Sequence, residues 1–119
     1  MTDTPQSLPD DRVHYDRRVV YIAELCRGHD LALLANHDFE DCEIIGPAVL
    51  LPLDRFQMYD CDLGGSAMGV LWELPPQRSE IIGAIGLKDC SFRNCRFRGV
   101  GFAGHPEVIW RILGGTVLD

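Results

Sequence analysis

Between Ile85 and Gly104 the chain reads IGLKD CSFRN CRFRG VGFAG, and a large apolar residue returns at every fifth position: Leu87, Phe92, Phe97 and Phe102. Two residues before each stands a smaller one, Ile85, Cys90, Cys95 and Val100, while Lys88, Asp89, Arg93, Asn94, Arg96 and Arg98 between them are polar. Inward and outward positions that alternate over such short runs predict brief strands, each turned before it can lengthen. The same phase can be drawn through Leu34, Phe39, Ile44 and Val49, with Ala32, His37, Cys42 and Pro47 at the small site. A motif recurs in four copies, FEDCEI (39–44), MYDCDL (58–63), LKDCSF (87–92) and FRNCRF (92–97), each a large apolar residue, any residue, Asp or Asn, Cys, any residue, large apolar. Successive cysteines of the motif are 19, 29 and 5 residues apart. Short repeats of this kind first suggest a solenoid, in which a small residue fits beneath a large one near each corner.

The stretch 85–104 resembles the pentapeptide-repeat proteins, whose units place a small residue, often Asp or Asn, and then Leu or Phe. That resemblance implies a right-handed four-sided β-helix, and a bacterial or phage source. Segment 34–49 fits it partially and 56–63 is out of phase by a residue. The expected fold is therefore all-β: a small single-domain right-handed β-helix of about three coils, occupying residues 13–119. Residues 1–12 (MTDTPQSLPDDR) read as a flexible arm, and Arg18 to Cys26 as a strand turned by Gly28. Residues 64–83 break the period with Gly64-Gly65 and Pro75-Pro76, and predict a loop or hairpin leaving the solenoid around the strand-like MGVLWEL. At 106–113, Pro106 and Glu107 in a first turn and an apolar face of Val108, Ile109, Ile112 and Leu113 predict a short helix capping the open end.

Composition narrows the function classes. Apolar residues at 46% and charged ones at 24% describe a globular domain. No apolar run approaches the roughly 18 residues of a membrane span and the amino terminus lacks a secretory layout, so a cytoplasmic protein without membrane contact is expected. A net charge of −7 argues against direct nucleic-acid binding, which depends on neutralising phosphates. Residues 1–80 carry −9 and residues 81–119 carry +2. If coils stack in sequence order, Asp38, Glu40, Asp41 and Glu43 lie toward one end and Lys88, Arg93, Arg96 and Arg98 toward the other, a rod with opposite poles suited to charge-steered docking or to self-association.

Candidate chemistry is sparse. The five cysteines, Cys26, Cys42, Cys61, Cys90 and Cys95, lack the paired spacing of a zinc site and read as reduced core residues, so no metal or other cofactor is expected. His14, His29, His37 and His105 share no motif spacing; His37, between the phase of the repeat and the acids Asp38 and Asp41, is the one placed to interact. Carboxylates in DFEDCEI could work as general acid and base or as oxygen ligands, but a solvated acidic face is the simpler reading. Trp72 and Trp110 read as core packing, with interface anchors as the alternative. Together these features predict a non-catalytic protein-interaction or structural module that binds another protein or a second copy of itself. Arg93, Arg96, Arg98, Asp38, Glu40, Asp41, Glu43, Trp72 and Trp110 form its candidate surface. Two alternatives stand behind it. The resemblance implies an acidic DNA-mimic inhibitor of a topoisomerase-type enzyme, and the acidic face fits a carbohydrate-active or sugar-binding protein.

Overall fold

The computed structural model describes residues 12–26, 32–78 and 83–117. Residues 1–11 of the proposed arm, Gly28, His29 and residues 79–82 of the 64–83 segment lie outside these residues. Among the described residues are ten strands: β1 (Val13–Asp16), β2 (Val19–Tyr21), β3 (Leu33–Glu40), β4 (Glu43–Asp54), β5 (Gln57–Tyr59), β6 (Cys61–Asp62), β7 (Leu71–Glu73), β8 (Ile85–Arg93), β9 (Arg96–Gly104) and β10 (Thr116–Val117). Two helices accompany them, α1 (Ala67–Val70) and α2 (Pro106–Gly115). None of the described helices is long and apolar enough to cross a membrane.

The period of five has a backbone cause. In all four copies of the motif the Asp or Asn before the cysteine, Asp41, Asp60, Asp89 and Asn94, has φ between 52 and 55°. Asp and Asn tolerate this left-handed conformation better than other side-chain-bearing residues, and one such residue turns an extended chain without a loop. The register aligns Arg17, Asp41, Asn94 and Asp60 in one column of corners, tied by Asp41 N–H to the Arg93 carbonyl and Asn94 N–H to the Tyr59 carbonyl at 2.9 and 2.8 Å. After each corner the cysteine turns inward, and two residues later Ile44, Leu63, Phe92 or Phe97 fills the core. The rings run in sequence of contact from Tyr15 to Phe39, Phe92, Phe97 and Phe102, with neighbouring centroids 4.8 to 5.3 Å apart. Such spacing adds about 0.5–1.5 kcal/mol per pair beyond the area buried.

The expected β-helix is not what forms. A solenoid requires each coil to lie against the one before it in the chain. Instead β8 and β9 lie between β3–β4 and β5–β7: Phe92 pairs with Phe39 on one side and Met58 on the other. The sheet path runs β1-β3-β8-β4-β9-β6-β10, with β2 on β4, β5 on β8 and β7 on β9, and every pairing is parallel. The protein is thus a compact globule of 42 × 29 × 24 Å around a single open parallel sheet, with a short C-terminal helix, and not a solenoid. The physical reason is that every copy of the motif encodes the same corner and the same inward pair. It fixes which side chains are buried, and leaves open which copies become neighbours.

Smaller differences have local causes. The strand expected over 18–26 stops at Tyr21, and IAELC continues as a 3-10 turn, consistent with the helical preference of Ala, Glu and Leu. MGVLWEL is not a hairpin: its first half is α1, and β7 joins the sheet beside β9 through Leu71–Phe102, Trp72–Ala103 and Glu73–Gly104. Gly64, at φ +72°, turns the chain where a Cβ would strike the Phe97 carbonyl. Helix α2 begins with Val108 N–H and Ile109 N–H bonded to the His105 carbonyl at 2.9 and 3.1 Å. It buries Ile109 and Ile112, and leaves Trp110, Arg111 and Leu113 exposed.

Candidate functional site

Side chains alternate along a strand, so the residues flanking the buried row Tyr15, Phe39, Phe92 and Met58 point outward. Register places them in two rows across β1, β3, β8 and β5: His14, Asp38, Ser91 and Gln57 in one, Asp16, Glu40, Arg93 and Tyr59 in the other. All of these residues but Asp16 line an open groove of about 760 Å³, together with Arg12, Arg55, Phe56, Asp89 and Arg111 of α2.

Arg12 ties together two carboxylates of this groove. Its Nε–H and Nη2–H donate to the two carboxylate oxygens of Asp38 at 2.8 and 2.6 Å. Nη2–H also donates to the Asp89 carbonyl at 3.0 Å, and Nη1 lies 3.0 Å from Asp89 Oδ2. Ser91 O–H donates to the same Asp38 at 2.7 Å. The Arg12 fork, and secondarily the Ser91 hydroxyl, hold the Asp38 carboxyl below its ordinary range against the opposing effect of burial. Arg55 reaches Asp54 and Asp89 at 3.7 Å each.

Arg93 differs from these. Its guanidinium lies over the Tyr59 ring, 5.1 Å from the centroid, and it is exposed. Among the described residues no carboxylate comes within ion-pair distance of Arg93 or of Arg111. A guanidinium stacked by its face keeps its N–H edge free for a bidentate acceptor.

The expected charge poles are corrected by the register. Glu40 faces Arg93 and Glu43 faces Arg96 on adjacent strands, because 85–104 lies directly against 33–54. Arg98 donates to Glu43 at 2.9 Å, and Asn94 Nδ2–H donates to Asp41 at 2.6 Å. Charge instead divides across the corner column: the arginine-bearing groove is on one side, and Asp41, Glu43, Asp60 and Asp62 gather around Arg96 on the other. Trp72 and Trp110 are 48% and 72% exposed, so the core reading fails for both, and neither lines this groove.

Ser91 and His14 do not form a nucleophile–base pair in the groove. His14, Asp38 and Ser91 occur in one row, but Asp38 stands between the other two and takes the serine proton's hydrogen bond itself, leaving no imidazole on the hydroxyl. His14 approaches Glu40, at 3.9 Å. A glycosidase acid needs a raised pKa, whereas Asp38 is shifted down. His37 is half-buried beside the Tyr15 and Phe39 rings, donates Nδ1–H to the Ala35 carbonyl at 2.8 Å, and burial lowers its pKa. Cys42, Cys61, Cys90 and Cys95 are buried free thiols, the Cys61 thiol and burial pushing Cys95 up. Among the described residues no three His, Cys, Asp or Glu side chains gather as metal ligands.

Arg12, Arg55, Tyr59, Ser91 and Arg111 were missed by the sequence reading. One signal for Tyr59 was present: Glu40, Tyr59 and Arg93 occupy the same motif slot, immediately before the corner residue. Shared slot means shared row. No protein-family model, curated protein or solved structure matches this chain.

Proposed function

We propose that the chain is a non-catalytic protein-binding module and that the Arg93–Tyr59 groove is its contact surface. The observation that carries this reading is an exposed arginine placed over an aromatic ring, in a groove whose Asp38 and Asp89 carboxylates are already engaged by Arg12. Arg and Tyr dominate binding hot spots because they offer large contact area, directional donors and little entropy to lose once held. Arg12 takes Asp38 and Asp89 out of acid-base work, which favours recognition over catalysis at these two carboxylates.

A tagged pull-down at low and at about 0.5 M salt tests it, the higher salt shortening the Debye length to roughly 4 Å. A stoichiometric partner that is lost in Arg93→Glu, weakened by salt and retained in Arg98→Glu is the expected result. Arg98 is the matched control because it is engaged with Glu43 on the other side of the corner column. A partner indifferent to both salt and Arg93→Glu would overturn the reading.

A further inference from the structure

Resting on that reading, we infer that the groove takes a peptide segment of its partner in which an acidic residue adjoins a large aliphatic one. The acidic side chain lies between Arg93 and Arg111, and the aliphatic one enters the next cavity. That second cavity, of about 400 Å³, shares Arg55, Phe56 and Arg111 with the first, so the two are adjacent across these side chains. Its lining includes Leu51, Leu53, Leu74 and Val108, of which Leu51 and Leu74 are buried and Leu53 is exposed, alongside the polar Asp54, Arg78, His105 and Glu107. Exposed arginines of the first groove thus adjoin an aliphatic patch, Leu51, Leu53, Leu74 and Val108, in the wall of the second.

Charge selects the occupant. Arg12 is committed to Asp38 and Asp89, and Arg55 leans on Asp54 and Asp89, which leaves Arg93 and Arg111 as the cations to complement. A single carboxylate fits a bidentate arginine fork. A nucleic-acid strand would bring a run of phosphates against Asp38, Glu40 and Asp89 in the same groove, on a chain of net charge −7. The parallel register keeps Arg93 beside Tyr59, and α2 carries Arg111, so neither cation depends on a free loop for its place.

The test is a titration of the whole chain with acetyl-Glu-Leu-amide and acetyl-Leu-Glu-amide, following the Arg Nε–H signals by NMR. Acetyl-Gln-Leu-amide and inorganic phosphate serve as comparison probes. At least one of the acidic dipeptides should shift the Arg93 and Arg111 signals saturably in the millimolar range, with the glutamine analogue weaker by about tenfold or more, the loss of one charge-assisted bidentate contact. Arg93→Gln and Arg111→Gln should each abolish the response, and Arg93→Lys should weaken it by removing the fork while keeping the charge. Unmoved signals, an equal response in the glutamine variants, or phosphate acting as well as the dipeptides would overturn the peptide assignment. If the dipeptides are silent while Arg93→Glu still abolishes partner capture, the peptide inference falls and the protein-binding reading stands.

Discussion

Replacing Arg12 by alanine removes the side chain that ties Asp38 to Asp89 in the groove, and its cost can be worked from the contacts. The guanidinium makes two bonds to Asp38 and two contacts to Asp89, all between 2.6 and 3.0 Å. A hydrogen bond to a charged group contributes about 1.5–3 kcal/mol when shielded, and breaking a fully buried ion pair costs about 3–5. The side chains of Arg12, Asp38 and Asp89 keep 17, 24 and 29% exposure, so water compensates in part and the low end applies. The expected loss is about 2–3 kcal/mol. That is a sizeable share of the roughly 5–15 kcal/mol typical of a domain, and lowers the melting temperature by roughly 10 °C. Arg12→Lys, which keeps the charge without the fork, should lose about half as much. In urea denaturation, a double-mutant cycle with Asp38→Asn should give a coupling of at least about 1 kcal/mol. The sign with pH follows from the lowered folded-state pKa of Asp38. Its contribution is present above the unfolded value of 3.8 and is lost as pH falls through the lower folded value, so the Arg12→Ala cost should shrink there. An Arg12→Ala protein within about 0.5 kcal/mol of the parent, the scatter of ordinary surface substitutions, would refute the claim that this fork ties the two carboxylates together.

Three further outcomes follow from the same geometry. His37 is held neutral by burial, so the folded state binds fewer protons than the unfolded one below the reference value of 6.5. Stability should therefore fall as pH drops from 6.5 through the lowered folded value, and His37→Gln should flatten that slope in urea melts between pH 7 and 5; an unchanged slope assigns it elsewhere. Phe92, fully buried and stacked 4.8 Å from Phe39, should cost about 3–5 kcal/mol on truncation to alanine, and a loss under 1 by denaturation would contradict its place in the ring sequence. Asn94, at φ 55° with its amide on Asp41, should lose about 1–2 kcal/mol as alanine and less as glycine, which keeps the corner but not the bond; equal losses would remove the backbone explanation of the period.

What could be read from the sequence was local. The interval of five and the Asp or Asn before each motif cysteine mark corners, and the large residue two places after the cysteine marks the core, because both depend on the residue's own conformation and size. Neighbour order depends on how identical-looking units compete for one another, and nothing in LKDCSF distinguishes a partner in FEDCEI from one in MYDCDL. That degeneracy is why the charge poles were misplaced and why Glu40 is opposite Arg93. Arg12 was assigned to a polar arm because its partners, Asp38 and Asp89, are 26 and 77 residues away and no local pattern connects them. Arg111 was hidden similarly, on a helix recognised by its apolar face and not by the side it turns to the groove. The tryptophans misled in the other direction, since size suggested burial and 48% and 72% of their surface is open.

The groove exists only because β8 stands between β3 and β5, which brings Asp38, Ser91 and Gln57 into one row. Through-space NOEs test that order directly. The Phe92 ring protons should show contacts to the Phe39 ring on one side and to the Met58 methyl on the other, with none between Phe39 and Met58. A Phe39–Met58 contact, with Phe92 on the far side of Met58, would mean that the segments pack in chain order. The arginine groove would then have to be abandoned.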